Sequence, residues 1–493
     1  MTEAPASAPT TLDTSDVDRY LGKELPSAQL IDPVGVTDIK RWAQGMQYPN
    51  PLHYDDEAAA AGPHGRIIAP QSFSVACDIG HGATPSIVGS IPGSHMIFGG
   101  DDWWFYGPRI LPGDHLRSDR RFLDYVVKET RFAGPTMFAR GETTHVNQRG
   151  EAVSRQVSTS VRYLAERARE LGFFGKQAPR PTWTEQALLD IDRQRVAWIT
   201  TGSGGDGRRA VDVSVGDKLV TRPVGPHSVA SFATEWRAFP FTVWGSRANT
   251  VSANIAEAGW LEEMSSGEIE AVDVDPGMND GLYRGPSRGH TDTSLANLIG
   301  MPRGYGYGAS MGAWALDYVA YWAGARGFLR RSSMQYRTPP FEADCTFVDG
   351  EVVELRVEPL LGVPVATVKV VMTNQDAAVL ATGSVEVELP RGPRSRGHRP
   401  RARPASVPSP SAVCCWSRAP VMPAGTPWPR PLPTAPSCVG RSTSCWPSPG
   451  ATPRACSRLA SDGARGWACF CRTGRSGWQQ RSAPPSSGAC WCR

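Results

Sequence analysis

Residues 391–493 contain no Lys, Glu, Ile, Tyr or Asn, and one acidic side chain, Asp462, set against sixteen Arg. That stretch therefore carries +15, and a whole-chain charge of +4 over 493 residues leaves −11 for the first 390. The basic excess belongs to the tail alone, which excludes using it as an argument that the rest of the chain binds nucleic acid. The tail also lacks apolar periodicity of either 3.6 or 2 and holds seventeen Pro, six Trp and nine Cys, so it is expected to form no core. Arg, Pro, Ala, Ser, Cys and Trp rise together when GC-rich coding sequence is read in a shifted frame, and that is the reading adopted for residues 391–493.

Other absences narrow the remainder. Only Cys77 and Cys345 precede the tail, which excludes a disulfide scaffold and suits a reducing, cytoplasmic setting. No stretch approaches the roughly 18 apolar residues of a membrane span, and the opening MTEAPASAPTTLDTSD has neither a basic nor an apolar leader segment. No G-x-x-x-x-G-K-[ST] occurs, the spacing Gly304-x-Gly306-x-Gly308 does not satisfy G-x-G-x-x-G, and no Cys-x-x-Cys or paired-His spacing stands before the tail, so no nucleotide cradle or metal site is expected. Gly308-Ala309-Ser310-Met311-Gly312 fits G-x-S-x-G, but no hydrophobic strand precedes it, which argues against a serine hydrolase.

What is present is a long-period repeat. Four anchors recur in order. The first is a turn, Gly22-Lys23-Glu24-Leu25 and Gly216-Asp217-Lys218-Leu219. The second is a short helix, capped by Thr37 before Trp42-Ala43 and by Ser228 before Phe232-Ala233. The third is His-x-Asp-x-x-x-Ala, at His53, Asp55 and Ala59 and at His290, Asp292 and Ala296. The fourth is an Asn-Gln turn between strands, Asn147-Gln148 and Asn374-Gln375. One unit used twice explains them, over residues 15–165 and 211–390. A linker, 166–210, carries a helix near Glu185 to Ile199, and about forty extra residues precede His290 in the second copy.

Each copy reads as a buried helix followed by long strands. Met311, Trp314, Ala315, Tyr318, Val319 and Trp322 recur at helical spacing among Ala and Gly, as in a helix covered on most sides. Arg117 to Glu129, Thr136 to Val146, Ala152 to Tyr163, Leu329 to Arg337, Glu351 to Glu358, Val363 to Met372 and Val379 to Leu389 alternate and are β-branched. Trp103, Trp104 and Phe105 are expected in a strand where the two halves meet. The fold class is α+β, with the two sheets paired side by side to protect an edge of each.

Pro49-Asn50-Pro51-Leu52-His53-Tyr54-Asp55, Gly62-Pro63-His64-Gly65-Arg66-Ile67-Ile68-Ala69-Pro70, Leu111-Pro112-Gly113-Asp114 and Asn147-Gln148-Arg149-Gly150-Glu151 resemble the MaoC-like dehydratases. His290-Thr291-Asp292 with Gly304-Tyr305-Gly306-Tyr307-Gly308 resembles a divergent second copy. The resemblance covers about residues 15–390 and implies a double hot-dog fold, each copy a long helix wrapped by an antiparallel sheet. It further implies hydration or dehydration across the 2,3 bond of an acyl thioester such as acyl-CoA, with no metal, flavin or nicotinamide. The chain would act alone, as a homodimer or with a MaoC-like partner subunit. Two other readings share that fold: a non-catalytic acyl-CoA-binding subunit and a thioesterase. The family motif Gly-Asp-x-Asn-Pro-x-His places Asp five residues before His, where this chain has Tyr48 and Gly285.

Such chemistry needs a base, an acid and an N–H donor for the thioester oxygen, the last supplied well by a helix N-terminus. If Pro70 opens the first buried helix and Gly308 the second, only the second can donate, because proline has no N–H. The second copy is therefore the expected working site, with His290 as base, Gly308 as oxygen-binding donor and Asp280 as the nearest upstream carboxylate. His53 and Tyr48 of the first copy would line the acyl or CoA channel. Asp55 and Asp292 read as helix N-caps. Both histidines remain open between a chemical and a structural role, and Gly304, Gly306 and Gly308 between function and a tight turn with positive φ.

Overall fold

The structure is a computed structural model, and it describes residues 11–29, 32–77, 84–177, 179–240 and 288–391 together with the backbone of 469–472 and 478–481. Residues Met1–His398 form one compact unit and Arg399–Arg493 another. In the second, the described elements are two strands, Cys469–Arg472 and Trp478–Arg481, paired as an antiparallel hairpin. Their register sets Cys469 opposite Arg481 and Arg472 opposite Trp478, within the stretch expected to form no core.

In the first unit the strands are β1 (Glu24–Gln29), β2 (Ser94–Phe105), β3 (Leu116–Thr130), β4 (Gly134–Asn147) and β5 (Ala152–Leu164), then β6 (Arg222–Val224), β7 (Phe328–Tyr336), β8 (Thr346–Val357), β9 (Pro364–Thr373) and β10 (Val379–Glu388). They form one ten-stranded sheet in the order β1-β3-β4-β5-β2-β7-β10-β9-β8-β6. Read from the middle outwards, each strand has its counterpart at the same position of the other half. The halves join where β2 runs antiparallel to β7, with Trp103 opposite Ser332 and Trp104 opposite Arg331, as expected of that aromatic stretch. This is the α+β double hot-dog arrangement.

Four helices matter for the site: α1 (Val36–Gly45), α2 (Glu185–Thr201), α3 (Val229–Arg237) and α4 (Gly308–Ala323). Helix α4 buries fourteen of its sixteen residues, with Trp314 and Tyr318 in the centre of the main core. An Ala- and Gly-rich helix can lie that deep because small side chains let strands and helices approach on every side. It packs on β2, β7, β8 and β10 and on the 3-10 turn Gln71–Ala76 of the first half, while α1 packs on α3.

The two halves are not equal in helix. Instead of a second long helix, the described residues of the first half hold the six-residue 3-10 turn Gln71–Ala76. Its hydroxyls are spent sideways: Ser72 accepts from Trp42 Nε1 at 3.0 Å and Ser74 accepts from Ser154 at 3.0 Å, contacts that compete with helical bonding. Helix α1 also starts earlier than expected. Gly35, not Thr37, is its N-cap, because Asp38 folds back to accept from the Gly35 N–H at 2.9 Å; Ser228 does cap α3.

The repeat extends to single atoms. Asn147 Oδ1 accepts from the Arg149 and Glu151 N–H groups, as Asn374 Oδ1 does from Asp376 and Ala378. Gln148 accepts from His115 N–H and donates to Asp114, while Gln375 accepts from Cys345 N–H and donates to Asp344. The opening turns match too, with Gly22 at φ +67° and Gly216 at φ +95°, a region glycine enters without steric cost.

Candidate functional site

In each half a 3-10 turn, Pro51–His53 or Arg288–His290, ends on the histidine, and an N-capped helix follows. Asp55 accepts from Ala58 N–H at 2.9 Å and Asp292 from Ser294 N–H at 2.8 Å, so both carboxylates cap Asp56–Ala61 and Thr293–Leu298. The histidine rings are held identically. His53 Nδ1 lies 2.8 Å from the Ile68 carbonyl and His290 Nδ1 lies 2.6 Å from the Tyr305 carbonyl, each fifteen residues on. A carbonyl only accepts, so each Nδ1 carries the proton and each Nε2 is left with its lone pair, the form a base requires.

This shared bond also sets the true correspondence of the halves. Ile68 matches Tyr305, so Pro70 matches Tyr307, both N-caps, and Gln71 matches Gly308, both first residues of their helices. The expected pairing of Pro70 with Gly308 is off by one, and the first half does have an N–H at that place. What separates the halves is helix length: α4 aligns sixteen residues of peptide dipole behind Gly308, and a six-residue 3-10 turn stands behind Gln71.

His53 is 2% exposed, and burial pushes its pKa down to about 3. Tyr48 lies against it with ring centroids 5.2 Å apart, in the place of the family aspartate. Burial raises the Tyr48 phenol, whose oxygen accepts from Asn50 Nδ2 at 3.2 Å. Gln47, where the motif has glycine, adopts φ +53°. Beneath Tyr48, buried Asp317 of α4 is pushed up to about 7 by burial, opposed by Arg222, which is itself wholly buried and donates to the Trp314 and Met46 carbonyls. A cleft beside His53 is lined by Ala69, Gln71, Ser74, Phe105, Arg109 and Val153, among others.

His290 is less enclosed, between buried and exposed, and burial lowers its pKa to about 4. Tyr305 and Tyr307 crowd its ring at centroid distances of 4.3 and 4.1 Å. The Tyr305 hydroxyl stands 3.3 Å from His95 Nε2 of β2, so the first half reaches into this site. Tyr307 feels the charge of Glu235 on α3, a carboxyl 1% exposed whose pKa burial pushes up to about 8 against the lowering influence of the Ser310 hydroxyl. Ser310 faces it. Asp280 lies outside the described residues.

Gly304, Gly306 and Gly308 do not take positive φ. They are there for space: a Cβ would stand 2.7 Å from the His290 carbonyl oxygen, 2.8 Å from Pro340 and 2.7 Å from the Phe98 Cβ respectively. Ser310 sits inside buried α4, so the G-x-S-x-G match forms no exposed nucleophile turn. Arg109 and Glu235 are the groups that sequence reasoning missed. The signal for Glu235 was its place three residues after core residue Phe232, on the buried face of α3.

The family described as FAS1-like, dehydratase domain region, matches residues 21–156. The chain is 24% identical over 208 residues to the probable enoyl-CoA hydratase alpha subunit of Thermomonospora curvata, covering 40% of this chain and 62% of that subunit. It is 30% identical over 146 residues to a UPF0336 protein of Saccharopolyspora erythraea, covering 29% of this chain and 88% of that protein. A solved MaoC-like dehydratase superposes with a TM-score of 0.50 at 16% identity, over 76% of this chain and all of the other. With the doubled hot-dog sheet and the histidine turn in both halves, these relationships place the chain in the family of MaoC-like hot-dog dehydratases.

Proposed function

We propose that the protein interconverts a 2-enoyl thioester and a 3-hydroxyacyl thioester, coenzyme A linked, at the second half. The observation that carries this is the Nδ1–H bond from His290 to the Tyr305 carbonyl, which leaves Nε2 as a fixed, neutral base at pH 7. In hydration, Nε2 takes a proton from water as the water oxygen bonds to C3. The electron pair of the 2,3 bond moves toward the thioester oxygen, where the Gly308 N–H at the head of α4 holds the charge. The imidazolium then returns the proton to C2, and His53 and Tyr48 line the channel of the other half. Dehydration is the reverse.

A second reading has a specific observation in its favour. Among the described residues no carboxylate is hydrogen-bonded to either histidine, and the motif aspartates are replaced by Tyr48 and Gly285. That suits an acyl-CoA-binding subunit whose partner chain supplies the chemistry. Incubating the full chain with crotonyl-CoA, following loss of enoyl absorbance and release of thiol, separates the readings. Enoyl loss without thiol supports the hydratase, thiol release supports a thioesterase, and neither reaction supports the binding subunit. His290→Ala is expected to lower turnover by about 100-fold or more, the scale of a lost general base, and His53→Ala by much less. Equal losses would overturn the assignment to the second half.

A further inference from the structure

The first-half cleft carries a charge that nothing beside it balances. Arg109 lies between buried and exposed on the cleft wall, next to Gln71, Ser74 and Phe105. A guanidinium has five N–H donors. The described bond is from Nη2 to the Ala69 carbonyl at 3.3 Å, and no ion pair joins Arg109 to a carboxylate among the described residues. Arg303 of the other half, by contrast, is paired with Asp344 at 2.8 Å. Among the described residues, the groups that interact electrostatically with Arg109 are Tyr48, His53 and His64, and none is a carboxylate. Burial lowers Arg109 to about 10, so it stays cationic at neutral pH. Where the family motif puts an aspartate this half has Tyr48, so the sign of the site is inverted from negative to positive.

Withdrawing a cation from water without a counter-charge costs free energy, and a bound anion recovers it. We propose that this cleft is an oxyanion subsite, in which Arg109 receives a phosphate- or carboxylate-type group of the ligand beside the Tyr48 hydroxyl. This rests on the reading that the ligand is an acyl thioester. It makes the first half the holding site for the charged part of that ligand while chemistry proceeds at His290. The two sources of oxyanion are the phosphates of coenzyme A and a carboxylate at the far end of the acyl group.

Binding, not turnover, tests it, so the result does not depend on whether the chain is catalytic. Calorimetric titrations of the full chain and of Arg109→Gln would use coenzyme A, pantetheine, which lacks the phosphates, and glutaconyl-CoA, whose acyl group ends in a carboxylate. If the phosphates are the source, coenzyme A binding weakens about 10-fold or more in Arg109→Gln, pantetheine binding is unchanged, and Arg109→Lys recovers part of the loss. If the acyl carboxylate is the source, glutaconyl-CoA alone weakens. Either pattern supports the subsite. Unaltered affinity for all three compounds in Arg109→Gln, no binding of any by the wild type, or a fall in melting temperature with affinities intact would overturn it, the last by making Arg109 a strut for the Ala69 carbonyl.

Discussion

Glu235→Gln tests the electrostatics of the second-half site without reference to catalysis. The carboxyl is 1% exposed, and burial raises it from 4.5 to about 8. A folded value above the unfolded one means that the native state binds more protons between those two values. Stability therefore falls as pH rises from about 4.5 to 8 and is level outside that window. From pH 5 to pH 8 wild type should lose about 4 kcal/mol through this one group, at 1.36 kcal/mol per pH unit. The glutamine variant keeps the shape but does not titrate. Its stability relative to wild type should thus rise by about 4 kcal/mol over the same range, whatever constant offset the amide brings. Urea unfolding at pH 5, 6.5 and 8 measures this directly. A difference between variant and wild type that does not change with pH would refute the argument, because it would show that Glu235 is ionised or solvated in the fold.

Other consequences can be measured alongside. The acid limb of kcat/KM on crotonyl-CoA should fall near pH 4, where His290 titrates, and activity should be flat between pH 5 and 7; a limb near the ordinary histidine value would remove His290 as base. Gly308→Ala would drive a Cβ to 2.7 Å from the Phe98 Cβ, so turnover should drop at least about 10-fold as the head of α4 shifts, and Phe98→Gly in the same chain, which removes that Cβ, should restore part of it. Gln375→Ala deletes bonds to the Cys345 N–H and the largely buried Asp344 and should cost about 1–3 kcal/mol by thermal unfolding. Gln148→Ala should cost less, since its bond to the His115 N–H is exposed; equal costs would mean that the burial difference is immaterial.

The strands were legible because alternating β-branched residues report a half-buried sheet, and β3, β4, β5, β7, β9 and β10 begin and end within two residues of their sequence-based limits. The doubling was legible because the Asn-Gln turn uses side chains to hold backbone N–H groups, so its residues must recur wherever its geometry does. The one-residue error at Pro70 has the opposite cause. The matching atoms are the Ile68 and Tyr305 carbonyls, and a carbonyl leaves no side-chain signature. Helix propensity likewise said nothing of Ser72 and Ser74 turning their hydroxyls to Trp42 and Ser154, which accompanies the short first-half turn. Arg109 and Glu235 escaped notice because a charge becomes informative only when its burial and its lack of partners are known.

The order of the ten strands leaves two outermost members, β1 and β6, and each contains a proline, Pro26 and Pro223. Proline offers no N–H to an incoming strand, and β1 is further broken by an irregular register between Leu25 and Ala28. Fusion of the two halves has therefore turned the inner borders into a permanent seam and left the outer ones poor templates for growth. A second copy of this protein, or any partner subunit, is expected to dock on a face of the sheet or its helices and not to prolong the ribbon.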